Sequence, residues 1–325
     1  MHTFISCDWG TSTFRLRLVD ATAQSVLAEV TTNQGIAETY ALWKQEGHDE
    51  RNRFSFYQSF IENQLTRLQE QSTEPLLHVP LIISGMASSN LGMVEVPYKE
   101  LPFAIDGSDL EFKKIDATEY FQHDVVLISG TKTSNDVMRG EETQLIGCDV
   151  NSDAEHVYIF PGTHSKHVTV KHQQATDFKT YMTGEFFHLL STQSILSKSV
   201  IENDHAFNGD MLKSFEDGVA QSIHTNILHN AFLVRTNHVL GNLSKEENYY
   251  YLSGLLIGTE LKELADRAVP LTIVGSESMR KYYMVALEKL GINHFETVDA
   301  DKALVNGHCK VYRVLQNNGT HSKKS

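Results

Sequence analysis

Three short stretches of the chain carry residue types that could handle a phosphate group. Asp8-Trp9-Gly10-Thr11-Ser12-Thr13 joins an apolar segment, Phe4–Cys7, to a second one, Phe14–Val19. Gly10 permits a tight turn, in which successive backbone N–H groups and the hydroxyls of Thr11 and Ser12 can converge on an anion. Asp8 at the strand end offers an oxygen to Mg²⁺, through water, because that ion keeps much of its hydration. The plainer reading is a polar hairpin turn. Pro161-Gly162-Thr163-His164-Ser165-Lys166 forms a matching turn between Val157–Phe160 and His167–Val170, with Lys166 as a sensible γ-phosphate partner. His164, His167 and His172 have no carboxylate or cysteine at metal spacing and do not read as a metal site.

The third stretch runs from Asn135 through Asp136 and Arg139 to Gly147. Gly140 marks a helix boundary, with Glu141 and Glu142 in the first turn and Leu145 and Ile146 turned inward. The helix N-terminus stabilises a carboxylate there as an anion, so it can accept a hydroxyl proton or orient a hydroxyl for attack. Acidic residues that only cap a helix are the plainer alternative. Familiar phosphate and hydrolase motifs are excluded by spacing. No two of the 20 glycines are separated by a single residue, and no Walker-type loop, G-x-S-x-G or H-E-x-x-H occurs.

The elements that must position these residues follow from the apolar pattern. Phe4–Cys7, Leu81–Ile83, Val125–Ile128, Val157–Phe160 and Leu271–Val274 are short apolar runs that stop at or near glycine, which predicts buried strands. Helical spacing predicts helices over Phe54–Gln71, Glu246–Arg267 and Ser278–Leu290. Strands alternating with helices place the chain in the α/β class. Lys44–Arg53 reads as a solvated excursion, Asp106–Asp124 as an irregular or edge segment, and Gln316–Ser325 as a frayed tail. The two strand–turn–strand units suggest two similar half-structures facing a cleft.

Composition sets the outer bounds. The 325 residues carry 28 Lys+Arg against 41 Asp+Glu, a net charge of −13, which argues against broad affinity for nucleic acid or anionic lipid. Three separated cysteines, Cys7, Cys148 and Cys309, fit a reducing cytoplasm. No leader-like N-terminus and no apolar stretch of about 20 residues is visible. A cytoplasmic protein with small-molecule partners is the expectation, with a homo-oligomer left open.

Taken together, the Asp8–Ser12, Asn135–Gly147 and Pro161–Lys166 stretches and Met182-Thr183-Gly184-Glu185 resemble the 2-dehydro-3-deoxygalactonokinase family. The resemblance continues through Ser84-Gly85-Met86, Val234–Gly241, Leu252–Gly258 and Thr272–Ser276. It implies a two-lobed actin-like ATPase (ribonuclease H-like) fold with a central cleft, residues 1–133 forming one lobe and 134–325 the other, the last helix able to pack back on the first. It also implies transfer of a phosphoryl group from ATP, with Mg²⁺, to the 6-hydroxyl of 2-dehydro-3-deoxy-D-galactonate.

Carried onto this chain, the resemblance makes Asp8 the Mg²⁺-associated carboxylate and Gly10, Thr11 and Ser12 the first phosphate loop. Gly162, Thr163, His164 and Lys166 form the second loop. Gly275 and Ser276 form the adenosine site, with Gly254 and Gly258 allowing close approach of the nucleotide. Glu141 is the preferred base, ahead of Glu142 or Asp136. Arg15, Arg139, Asp136, Ser84, Gly85 and Met86 are the sugar-acid candidates. A polyphosphate or nucleotide phosphohydrolase of the same superfamily is the first alternative, and a catalytically inactive nucleotide sensor the second.

Overall fold

A computed structural model describes residues 2–47, 49–148, 153–202 and 207–321, of which 318–321 are described by backbone alone. By contacts the chain falls into two units. The first comprises residues 1–154, 170–178 and 300–325, the second 155–169 and 179–299. This division differs from a single boundary after residue 133.

The first unit opens with three antiparallel strands, β1 (Thr3–Trp9), β2 (Phe14–Asp20) and β3 (Ser25–Thr32). Helices α1 (Ile36–Gln45) and α2 (Arg53–Gln71) lead to β4 (Leu81–Gly85), which pairs parallel with β1. Short strands β5 (Lys99–Glu100), β6 (Phe103–Ala104) and β7 (Phe112–Ile115) precede β8 (Val125–Ile128). The sheet order is β3-β2-β1-β4-β8-β7. β4 and β8 are buried along their whole length, as parallel strands covered on both faces require. β7 is the antiparallel edge strand, so the Asp106–Asp124 segment carries an edge as expected. A ribbon of β9 (Thr131–Lys132) and β10 (Val137–Met138) then delivers the chain to α3 (Glu141–Gly147).

The base of the first turn is clamped by aromatic packing. Trp9 is fully buried, edge-on to Phe14 at 4.9 Å and stacked on Phe60 of α2 at 5.1 Å. Tyr57, Ile61, Leu65 and Leu68 complete the inner face of α2, at the spacing that predicts a helix there.

The second unit repeats the plan. β11 (His156–Phe160), β12 (Ser165–Lys171) and β13 (Gln174–Tyr181), of which residues 170–178 count with the first unit, are followed by helices α4 (Thr183–Thr192), α5 (Gly209–Ser222), α6 (Ile227–Leu240) and α7 (Lys245–Leu261). Next come β14 (Leu271–Gly275), α8 (Glu277–Lys289) and β15 (Phe295–Asp299). The strand order β13-β12-β11-β14-β15 matches β3-β2-β1-β4-β8 position for position. The parallel pairing of β11 with β14 repeats that of β1 with β4. The duplication suggested by the two turns therefore extends to whole sheets.

The chain ends in α9 (Ala300–His321), which belongs to the first unit. Residues 316–321 continue this helix rather than fraying, while 322–325 lie outside the described residues. α9 lies along α3 at backbone contact: a Cβ on Gly307 would sit 2.0 Å from the Thr143 carbonyl oxygen. It also reaches β1, where His308 Nδ1 and Ser6 Oγ share a buried 2.7 Å hydrogen bond and Tyr312 stacks on Phe4. Among the described residues no helix is long and apolar enough to cross a membrane.

The α3–α9 contact makes a direct prediction. Gly307→Ala must push the two helices apart and should cost roughly 1–3 kcal/mol, the usual range for overpacking. A urea unfolding midpoint equal to wild type would contradict the contact.

Candidate active site

The first unit gathers its candidates at the ends of β1 and β4. The turn is closed by Gly10 N–H donating to Thr13 O at 2.9 Å. The first backbone donors of α1, on Ile36 and Ala37, bond to the carbonyls of Gly10 and Thr11. Thr11 and Ser12 remain exposed at the tip. Asp8 stands opposite Ser84 in the β1–β4 register. Its carboxylate accepts from Arg15 Nη1 at 3.3 Å, their side chains being 19% and 33% exposed. Burial pushes the Asp8 carboxyl up, and Arg15 and then Arg17 oppose the shift.

Two glycines bring α3 to this place. Gly85 has φ +85, and a Cβ on it would lie 2.7 Å from the Trp9 carbonyl oxygen and 3.5 Å from Asp8 Oδ1. Gly140 has φ +112, and its Cβ would lie 3.5 Å from Gly85 Cα. Both conformations favour glycine strongly. The result is a helix start set against the end of β4, the strand paired with the one that carries Asp8.

The two glutamates that follow have different fates. Glu142 is 0% exposed; both its oxygens accept from Gly140 N–H, at 2.9 and 2.8 Å, and Oε1 accepts from Thr143 Oγ1. It is a brace for the turn, which corrects its place among the candidate bases, since a sealed carboxyl cannot meet a substrate hydroxyl. Burial first, then the charge of Glu141, pushes its carboxyl up from 4.5 to about 8. Glu141 is half-buried and accepts from Arg139 N–H at 3.1 Å.

Arg139 is held in turn by Ser88 Oγ at 2.5 Å and by the Tyr98 ring, 4.3 Å from the guanidinium carbon. Ser84 Oγ and Arg139 Nε are buried with no hydrogen-bond partner. Met86 is half-buried against the core. Asp136 caps its own turn, accepting from Val137 N–H. Arg15, expected to meet the sugar acid, is instead paired with Asp8 and lies 3.9 Å from Asp301 of α9. Ser88, Tyr98 and Asp301 have no signature in the sequence; only the fold brings them here.

In the second unit, Gly162, Thr163 and His164 form the exposed tip of the β11–β12 turn. His164 Nε2 pairs with Glu185 Oε2 of α4 at 2.6 Å. Lys166 is 5% exposed and its ammonium donates to the His164 carbonyl at 2.7 Å. It braces the turn from within, which corrects its assignment to a γ-phosphate. Gly275 ends β14 beside Pro161, and Ser276 caps α8 by accepting from Met279 N–H. Gly254 and Gly258 lie elsewhere. A Cβ on Gly254 would come 2.0 Å from Phe215 O, and one on Gly258 2.5 Å from Ser222 Oγ. Both serve the close packing of α7 on α5 and not the approach of a nucleotide.

The site's chemistry suits Mg²⁺ that keeps its water. Asp8 supplies one hard oxygen, and no group of three or more His, Cys, Asp or Glu among the described residues forms an all-protein cage.

Comparison with known proteins agrees with this arrangement. Residues 8–311 match the 2-keto-3-deoxy-galactonokinase family. The chain is 33% identical over 220 residues to 2-dehydro-3-deoxygalactonokinase of Escherichia coli (strain K12), covering 65% of this chain and 71% of the relative. It is 31% identical to a Rhizobium meliloti (strain 1021) protein named a probable 2-dehydro-3-deoxygalactonokinase, covering 96% of this chain and 97% of that one. A Sinorhizobium meliloti crystal structure that carries the same name provisionally superposes with a TM-score of 0.80 at 30% identity, covering 95% of both chains. These relatives support the kinase and neither the phosphohydrolase nor the inactive sensor. The fold is the actin-like ATPase fold, shared with the Clostridium difficile activator of 2-hydroxyisocaproyl-CoA dehydratase at a TM-score of 0.51 and 9% identity, over 98% of this chain and 97% of that one.

Glu142 provides a test of the helix start that is independent of activity. A carboxyl with a raised folded pKa gives stability that is fully present below about 4.5 and lost as pH rises through about 8. Glu142→Gln cannot ionise, so its urea midpoint should gain on wild type between about pH 5 and about pH 8.5. A gap that stays constant across that range would contradict the burial of an ionisable group. The Asp8 strand, the helix start built against its neighbour β4 and the repeated strand order of the two half-sheets, together with a match over residues 8–311, make this chain a member of the 2-keto-3-deoxygalactonokinase family.

Proposed function

We propose that the protein transfers the γ-phosphoryl group of ATP to the 6-hydroxyl of 2-dehydro-3-deoxy-D-galactonate, giving the 6-phosphate and ADP, in the cytoplasm. The observation that carries this reading is the half-buried carboxylate of Glu141 at a helix start packed against the end of β4, beside the Asp8 strand.

In this reading Glu141 accepts the proton of the substrate hydroxyl, or orients it, while the hydroxyl oxygen attacks phosphorus and the bond to ADP breaks. The Arg139 N–H bond fixes the rotamer of Glu141. Arg139, pinned by Ser88 and Tyr98, is the candidate partner for the substrate carboxylate, with Ser84, Gly85 and Met86 as the adjoining wall. Arg15 acts on Asp8, opposing the upward push of burial on its carboxyl. Asp8 is the residue that holds Mg²⁺; the ion, when bound, offsets charge on the phosphate oxygens. The exposed tips at Thr11–Ser12 and Gly162–His164 are the two phosphate loops, and Gly275–Ser276 the adenosine end.

Glu141→Gln should lower kcat by roughly 10²–10⁴-fold while leaving ATP affinity within a few-fold. Near-normal turnover would move the base elsewhere. Substrate identity is tested with the two C4-epimeric 2-keto-3-deoxy acids. The D-galactonate-derived acid should give the higher kcat/KM, and a preference for its epimer would reassign the substrate.

A further inference from the structure

Glu260, near the C-terminal end of α7, is 2% exposed and yet carries three hydrogen bonds from side chains on three different elements. Its Oε1 accepts from His167 Nε2 of β12 at 2.9 Å. Its Oε2 accepts from the Tyr283 hydroxyl of α8 at 2.8 Å and from Thr183 Oγ1, the first residue of α4. A buried carboxylate is tolerated only when donors surround it. Three donors do so here.

Two of those donors lead to the turn at Gly162. The Tyr283 hydroxyl spends its proton on Glu260 and so accepts from Ser165 Oγ at 3.0 Å, and Ser165 Oγ accepts from Gly162 N–H at 3.3 Å. The donors therefore point one way, from the Gly162 amide through Ser165 and Tyr283 to the carboxylate, and each bond polarises the next. Thr183 leads to the other side of the same turn. Glu185 N–H donates to Thr163 O at 3.0 Å, and a Cβ on Gly184 would lie 2.6 Å from Gly162 O.

We infer that Glu260 is a positioning residue that holds the Gly162–Lys166 turn in its nucleotide-binding shape, by anchoring Tyr283 behind Ser165 and Thr183 behind Gly184. The inference rests on the reading of that turn as the second phosphate loop. Because Tyr283 lies on α8, whose first turn is capped by Ser276, the same carboxylate ties the phosphate loop to the helix at the adenosine end.

Steady-state kinetics of Glu260→Gln and Tyr283→Phe, with hydrogen–deuterium exchange of the wild type with and without Mg²⁺–ADP, test this. Mg²⁺–ADP should slow exchange at the Thr163 and His164 amides. Tyr283→Phe should raise KM for ATP by roughly tenfold, the size of one hydrogen bond to a charged group. Its kcat should stay within about threefold, and KM for the sugar acid should not change. Adding Ser165→Ala to Tyr283→Phe should cost little more, since both interrupt one chain. Glu260→Gln should shift KM for ATP further in the same direction; if it does not fold, Tyr283→Phe decides.

Protection of the turn with an unchanged KM for ATP in Tyr283→Phe overturns the role of Glu260 and leaves the loop reading standing. Absence of protection overturns both. An equal loss for ATP and sugar acid together with a lowered melting temperature reduces Glu260 to general support and also overturns the inference.

Discussion

Gly85 and Gly140 approach each other at the end of β4, with Trp9 and Asp8 on the far side of Gly85. A methyl group at Gly85 would lie 2.7 Å from the Trp9 carbonyl oxygen, and one at Gly140 would touch Gly85 Cα at 3.5 Å. Both residues also need positive φ, which other side chains resist. Because this contact is made by backbone, α3 starts directly beside the end of β4, the neighbour of the Asp8 strand. The base candidate and the metal candidate then share one rigid support. Glu142 holds that start by gripping Gly140 N–H with both oxygens, and so the neighbouring carboxylate, Glu141, keeps its place.

The last helix stabilises the arrangement from behind. α9 packs along α3 at Gly307 and reaches β1 through His308 and Ser6. Burial first, and then Arg17, hold His308 down to about 3, so it packs as a neutral ring. Arg17 itself is nearly buried on β2, opposite Ser6, and bonds both Glu29 and Asp301. Asp301 also approaches Arg15, the partner of Asp8. A series of charges thus runs from β3 across the α9-facing side of β2 to the candidate metal ligand. Charges so placed are kept because each has a partner; removing one would strand the next.

Much of this was legible in the sequence where local rules decide. Short apolar runs ending in glycine became the buried parallel strands, and three helices fell where the apolar spacing put them, except that α7 stops at Leu261 and only a 3-10 turn, Lys262–Leu264, continues toward Arg267. Other signals were misdirected by tertiary packing. Gly254 and Gly258 look like nucleotide contacts in a glycine-rich run, but Gly218 on α5 faces the same seam, and helix packing uses all three. Lys166 has the right type for a phosphate partner, yet its chain is short of solvent and turns back on His164 O. Glu142 carries its own sequence signal, because it lies three and four residues before Leu145 and Ile146, on the inward face. Glu260 likewise sits in register with Leu256 and Ile257, and a carboxylate on an apolar stripe signals a buried network. Its partners, from residues 167, 183 and 283, are too distant in sequence to be read without the fold.

We propose that a hydroxyl of the sugar acid, and not water, takes the phosphoryl group under the direction of Glu141. Phosphorus NMR of ATP incubated with the protein, Mg²⁺ and 2-dehydro-3-deoxy-D-galactonate addresses it in a single tube. The predicted spectrum contains ADP and one new phosphomonoester, coupled to the C6 protons, that forms only when the sugar acid is present. Inorganic phosphate released at the same rate with and without the sugar acid would contradict it.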